Sequence, residues 1–261
     1  MLVDIHVHTN RYSDCGVDDP DSIVKAAIEA GLDALVFSEH NYQWTEEETQ
    51  ELQDKYPGIK LFRGIEVSVS VDEHIVVVGA PDSDLFYPLM PAQALLDIVR
   101  YYSGAAVLAH PFRWSDTVRQ DILDAGFDGI EVFSNSIREY MVAPILELQQ
   151  RRNVPLVASS DGHDVDAFGL YAIDVSYQVN TEQELARALR QGDFSLWVNE
   201  AKVEELNAVM VGPKEHAMKL LAEGATPKEA LRLSGLNRYL GYALGRGLDI
   251  SYPSISSLDS K

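Results

Sequence analysis

The chain alternates between short apolar runs rich in β-branched residues and longer stretches of helical periodicity. Leu2, Val3, Ile5 and Val7 open it as a strand over residues 2–7, and further strands are predicted at 32–39, 59–70, 74–80, 105–111, 127–135, 154–162, 171–176 and 194–199. Between them, residues 19–31, 90–104, 115–126, 136–152 and 181–192 carry the amphipathic stripe by which a helix covers a sheet. The first of these helices has Asp19 as a cap, Pro20 in its first turn and Gly31 as a stop. Such alternation predicts an α/β fold with a mainly parallel sheet, and about seven units favour a distorted (β/α)7 TIM-like barrel over an open sheet. The run at 74–80 follows its predecessor closely enough to be the return strand of a hairpin. Later the pattern changes: residues 212–249 read as three helices broken at Gly224 and Gly235, with Thr226 and Asn237 as caps. The chain therefore divides into a barrel over 1–202 and a helical extension over 203–261, ending in a loose terminus at 251–261.

Composition narrows the function classes. The net charge is −20, and because residues 203–261 hold seven basic and seven acidic side chains, the whole excess lies in 1–202. That balance argues against affinity for nucleic-acid backbones, so long nucleic acid is not an expected partner. Lys228, Arg232, Arg238 and Arg246 are spread along the extension, which reads as a bundle against the barrel or a partner subunit rather than a DNA-binding helix-turn-helix. No apolar run approaches the ~18 residues of a membrane span, and the N-terminus lacks a signal-peptide layout. Cys15 is the single cysteine, which fits a reducing compartment, and a cytoplasmic location is expected. Self-association as a homo-oligomer is compatible with this picture.

The histidines change the picture most. His6 and His8 close the first strand on one face, since side chains on a strand repeat every second residue. As a pair they are either half-buried polar residues or half of a metal site. His40, His110 and His163 also end apolar runs, and His74 opens the return strand; only His216 lies elsewhere, in a helical stretch. Glu66 sits near the end of the third run, Asp14 shortly after the first, and Asp161 two residues before His163, where an extended backbone would present both to one face. In a barrel, chemistry collects at the C-terminal ends of the strands. Six imidazoles and three carboxylates converging there make a multinuclear metal site, with ligands that suit manganese, iron or zinc.

The segments DIHVHT (4–9), SEHN (38–41), RGIEVS (63–68), LAHP (108–111) and SSDGH (159–163), in this order, closely resemble the motifs of the PHP (polymerase and histidinol phosphatase) family. The resemblance covers roughly residues 1–200. It implies a distorted seven-stranded barrel holding up to three divalent metal ions and acting as a metal-dependent phosphoesterase. Carried over by position, His6, His8, Glu66 and Asp161 would hold the first ion. Glu66 would bridge to a second, shared with His74 and His110, and Asp14, His40 and His163 would take a third. Two details depart from the commonest pattern: SEH stands where many relatives have TDH, and some relatives carry histidine at the Asp14 position.

Two ions bridged by a carboxylate can lower the pKa of a shared water and neutralise phosphoryl oxygens. The expected reaction is hydrolysis of a small phosphate ester, a phosphomonoester or short nucleotide, by a metal-bridging hydroxide at a trinuclear centre. Arg113 could fork onto the phosphate or be an ion-paired surface arginine. Arg11 is a weaker candidate of the same kind. Ser134 and Asn135 could donate to substrate or cap the next helix, and Asp161 or His163 could protonate the leaving group. Cys15 reads first as a small core filler and second as a soft ligand. An amidohydrolase-type C–N hydrolase is the competing enzyme class, but its common carboxylated-lysine bridge has no candidate, since no lysine lies between Lys60 and Lys202. A metal-stabilised accessory domain without turnover is the competing non-enzyme reading, and the full ligand set argues against it.

Overall fold

The chain opens with strand β1 (Leu2–Val7), one of nine in a single sheet of the computed structural model, which describes residues 1–81, 83–237 and 240–259. The elements that follow are α1 (Pro20–Glu29), β2 (Ala34–Phe37), α2 (Glu46–Lys55), β3 (Lys60–Ser68) and β4 (His74–Val78). Next come α3 (Ala92–Tyr101), β5 (Ala105–Ala109), α4 (Gln120–Ala125), β6 (Gly129–Phe133), α5 (Glu139–Arg152) and β7 (Leu156–Ala158). The chain finishes with β8 (Tyr171–Asp174), α6 (Glu182–Gln191), β9 (Ser195–Val198), α7 (Glu200–Ala222), α8 (Pro227–Ser234) and α9 (Gly241–Leu244). The strand order is β7-β6-β5-β4-β3-β2-β1-β8-β9, parallel except where β4 and β8 run against their neighbours.

The apolar runs are continuous because both faces of the strands are buried. In β4, Val76 and Val78 join Val36, Phe62, Val107 and Val157 in one cluster, onto which Leu185 and Leu189 of α6 pack. The alternate residues Ile75 and Val77 pack with Leu95, Leu96 and Val99 of α3. The sheet nearly closes on itself at the C-terminal rim, through the segment after β7. Gly162 forms a parallel bridge with Val7; its carbonyl accepts from His8 N at 2.8 Å and its N–H donates to His6 O at 3.2 Å. Ser160 N donates to Asp4 Oδ1 at 2.9 Å just below. This is the expected distorted TIM-like barrel, with β8 and β9 added beyond β1 and helices beyond those.

Three local features differ from the sequence reading. The helix α2 was not anticipated, because its ten residues carry few apolar positions; a capping box between Thr45 and Glu48 starts it, and only Thr49 and Leu52 are buried. The first helix of the extension begins at Glu200 rather than near residue 212, and Pro213 lies inside it. The cap at Thr226 stands as expected, reinforced by Glu229, whereas Arg238 lies outside the described residues. Finally, the terminus is anchored as far as Asp259. The buried Tyr171 Oη donates to Pro253 O at 2.7 Å, Ser257 Oγ to Glu139 at 2.6 Å, and Ile255 N to Glu200 at 2.9 Å, while the Arg138 guanidinium lies 4.0 Å from the Tyr252 ring centre. Replacing Tyr171 with Phe leaves the Pro253 carbonyl without its donor. The expected outcome is a loss of about 1–2 kcal/mol in urea unfolding together with faster carboxypeptidase trimming of the tail.

Candidate metal centre at the barrel rim

Strand direction explains how one carboxylate meets so many imidazoles. His6 and His8 end β1, and His40 follows β2, where its parallel bridge to Glu66 extends the β2–β3 ladder past the strand end. Because β4 runs backwards, its first residue, His74, stands at the same rim, paired across the sheet with Ser68 and Ala109. His110 follows directly on Ala109. Glu66 is fully buried among them. Its Oε1 lies 2.9 Å from His74 Nδ1, 3.0 Å from His110 Nε2 and 3.3 Å from His6 Nε2; its Oε2 lies 2.8 Å from His40 Nδ1 and 3.3 Å from His8 Nε2.

Asp161 completes the floor. Its Oδ1 lies 3.4 Å from His6 Nε2, 3.5 Å from His8 Nε2 and 3.7 Å from His163 Nδ1. The backbone there is not extended, as the sequence reading assumed: Asp161 has φ 50°, so the chain turns at this residue and still delivers both side chains to one place. His110, with φ 26°, is in the same sparsely populated region. Such strain costs about 1–3 kcal/mol per residue and persists where surrounding contacts enforce it. Gly162 lets the turn close, since a Cβ there would come within 2.6 Å of Ser160 Oγ.

Charge follows from this crowding. Burial alone would neutralise Glu66, but the imidazoles of His74, His40 and His6 hold it well below the usual carboxylate range. Burial likewise opposes ionisation of Asp161, and His6 and His163 outweigh it. His8 is driven down to about 3 by burial, and His110 to about 4 by burial and the Arg113 charge. Burial also works against the His40 and His163 cations, but Glu66 raises the first to about 10 and Asp161 raises the second to about 9.

A second layer, made of carboxylates the sequence reading did not single out, orients the rings. Glu131 of β6 accepts from His6 Nδ1 at 3.1 Å and from His110 N at 2.8 Å, and also from the Ser159 hydroxyl. Glu39 accepts from Thr9 N at 3.0 Å, Ser13 Oγ at 2.6 Å and Trp44 Nε1 at 3.1 Å, and Ser13 Oγ in turn lies 3.3 Å from His8 Nδ1. Both are buried, which is rare for glutamate without strong partners. The sequence signal of Glu131 is an acidic residue inside an apolar run, and that of Glu39 is its place in the SEHN segment.

The remaining expectations divide. Asp14 is exposed and belongs to none of the candidate ligand groups; Cys15 beside it groups instead with His8 and His40. Burial would raise the Cys15 thiol, but the His163 and His40 imidazoles beside it bring it down to about 7. Arg113 is at the rim, its Nη1 3.6 Å from Asp161 Oδ2 and donating to Ser136 Oγ at 2.9 Å. Arg11 is turned away, paired with Glu48 at 2.8 Å over the faces of Tyr12 and Trp44. Ser134 is buried and its hydroxyl accepts from Ser136 N, while Asn135 Nδ2 donates to Ala167 O at 3.1 Å. Ser134 thus holds the turn after β6, and Asn135 ties that turn to the segment before β8.

Buried polar atoms without partners are costly, so their positions indicate what is meant to lie between them. His6 Nε2, His8 Nε2, His40 Nδ1, Glu66 Oε2, His110 Nδ1 and Asp161 Oδ2 are all buried and accept or donate no hydrogen bond. Five overlapping groups of three ligand atoms, drawn from His6, His8, Cys15, His40, Glu66, His74, His110, Asp161 and His163, lie within 4.8 Å of one another. Imidazole nitrogen with carboxylate oxygen is the donor set of divalent transition metals, and these residues fit such ions.

Known proteins agree with this architecture. The PHP domain family matches residues 4–161, and a PHP-associated family matches 145–194. The uncharacterized protein MJ1587 of Methanocaldococcus jannaschii is 27% identical over 154 residues, covering 54% of this chain and 86% of its own. Among solved structures, a two-domain protein of Bacteroides vulgatus containing a predicted PHP-like metal-dependent phosphoesterase superposes with a TM-score of 0.62 at 16% identity. That match covers 77% of this chain but 65% of the other, so the chain spans a little under two thirds of its length. A putative metal-dependent phosphoesterase of Bifidobacterium adolescentis gives a TM-score of 0.53 at 17% identity, covering 72% and 94% of the two chains. With its family match spanning more than half of its length and its ligand-type residues gathered at the rim of the barrel, the chain belongs to the PHP domain family.

Proposed function

We propose that the protein is a metal-dependent phosphoesterase acting on a small phosphate ester, with a trinuclear centre at the rim of the barrel. One observation carries the reading: a single buried carboxylate, Glu66, has five imidazole nitrogens within 3.3 Å. A carboxylate so placed is suited to bridge ions, His6, His8 and Asp161 on one side and His74 and His110 on another, with His40 and His163 at the more exposed edge. Divalent ions held there supply a water of lowered pKa and positive charge for phosphoryl oxygens. The chain's own residues do the rest. Burial keeps His8 and His110 neutral, the form in which imidazole ligates. Glu131 holds His6 by its Nδ1, leaving Nε2 for the centre. Arg113, fixed between Ser136 and Asp161, presents positive charge beside the ligands and is the candidate to grip a phosphate. Of the two candidates for the leaving-group proton, His163 is the one that holds a proton, since its neighbours keep Asp161 ionised.

Arg113 also lines a cavity of about 350 Å³ together with Glu73, Trp114 and Arg119; none of the candidate ligands borders it, so its volume does not set the size of the substrate. The catalytic unit is proposed as residues 1–202, with 203–261 as its extension.

Two experiments bear on this reading. Purified protein analysed by plasma mass spectrometry should carry transition-metal ions and hydrolyse an aryl phosphate, with turnover abolished in His110→Ala and by chelation. Metal-free protein with full turnover would overturn the reading. Glu131→Gln weakens the acceptor that holds His6, and metal affinity measured by competition titration should fall about 10–100-fold with the fold retained by circular dichroism.

A further inference from the structure

We propose that the ion at the exposed edge of the centre is held by a thiolate, Cys15, together with His40 and His163, and that this makes the edge site selective for zinc-like ions over manganese. This rests on the reading of the rim as a metal centre and deepens it.

The loop after β1 is built to point Cys15 inward and Asp14 outward. Ser13 N donates to Thr9 O at 3.2 Å and Gly16 N to Ser13 O at 2.9 Å, curling the chain back on itself. Only glycine fits at position 16, where a Cβ would stand 2.2 Å from the Thr9 carbonyl carbon. Both flanks of Cys15 are tied to the histidines of the site. Ser13 Oγ accepts from His40 N at 3.1 Å, and Val17 N donates to His163 O at 2.7 Å. The thiol is thereby clamped between the two residues it is proposed to join. Its sulfur lies within 4.8 Å of ligating nitrogens of His8 and His40, while the Asp14 carboxylate is exposed and outside every such group.

His8 stands between this place and the Glu66 group. Its side chain is fully buried and its Nε2, 3.3 Å from Glu66 Oε2, makes no hydrogen bond, while the same residue groups with Cys15 and His40. Its ring lies 4.6 Å from His40 and 4.5 Å from His163, centre to centre, so three imidazoles converge on the region the thiol faces. His40 and His163 are also the more solvent-accessible members, with about three tenths of each side chain exposed, which gives an ion a route in.

The chemistry of the donor set follows. A thiolate with two imidazoles is a soft to borderline set that favours zinc, cobalt or iron, whereas an aspartate in its place would favour manganese or magnesium. On binding, the thiol proton passes to solvent and sulfur donates a lone pair to the ion, with no change of oxidation state.

Cobalt(II) titration of the metal-free protein tests this without reference to activity. The wild type should develop both visible ligand-field bands and a near-ultraviolet thiolate-to-cobalt charge-transfer band. Cys15→Ser should lose the charge-transfer band and one ion equivalent by equilibrium dialysis, and zinc should displace manganese from the wild type over a wider concentration range than from the variant. Asp14→Asn should titrate as the wild type does. Cobalt binding with ligand-field bands but no charge-transfer band, or loss of the ion in Asp14→Asn and not in Cys15→Ser, overturns the thiolate ligand and leaves the phosphoesterase reading standing. No cobalt binding at all overturns both.

Discussion

A buried carboxylate surrounded by imidazoles is the constraint on which the rest of this molecule depends. Glu66 has no exposed surface, and a charge in that position is strongly unfavourable unless it is paired. Five histidines from four different strands or strand ends supply that pairing. None is near Glu66 in sequence except His74, and that one arrives because β4 reverses direction. Barrel closure, strand direction and the placement of the site are therefore one problem with one solution. Apolar clusters on both faces of the strands provide the stability against which this polar rim is held.

Around Glu66 lies a graded series of buried acids. Asp161 faces the cluster directly, whereas Glu131 and Glu39 stand behind it and fix rings and loops by hydrogen bonds. Deeper still, burial raises Asp4 to about 6 even though Ser160 N donates to it. The progression runs from carboxylates that face the centre to carboxylates that hold the fold. It shows why the net charge of −20 cannot be read simply as an acidic surface.

The helical extension is joined to the barrel through the segment that follows His110. Asp116 receives Tyr242 Oη at 2.6 Å and Arg246 Nη1 at 2.7 Å, and Tyr140 of α5 packs into the apolar cluster formed by Ala217, Leu231 and Leu244. A largely apolar cavity of about 840 Å³ lies between Trp114 and the α8 region. Arg113, beside the ligand cluster, lies 5.2 Å from the ring centre of Trp114, which borders the cavity beneath the extension. The loop that carries the candidate phosphate-binding arginine is shaped from both sides.

By itself, the amino-acid sequence determined the barrel, the hairpin at β4 and the gathering of six histidines at one rim. Each of these is written in local periodicity: apolar runs, their spacing, and polar residues at their ends. Three things it could not show. Whether Asp14 or Cys15 turns inward depends on how the loop curls over Gly16 and is tied to His40 and His163, contacts that only closure of the barrel creates. The tasks of Glu131 and Glu39 depend on side chains brought from other strands, so an acid within an apolar run, as Glu131 is, looks like an exception until its partners are seen. The turn at Asp161 is imposed by the ladder between Gly162 and β1, against the local preference for an extended chain. Periodicity reports what a residue faces along its own element; what it meets across the barrel is decided by tertiary contacts, and charge burial at this rim is settled there.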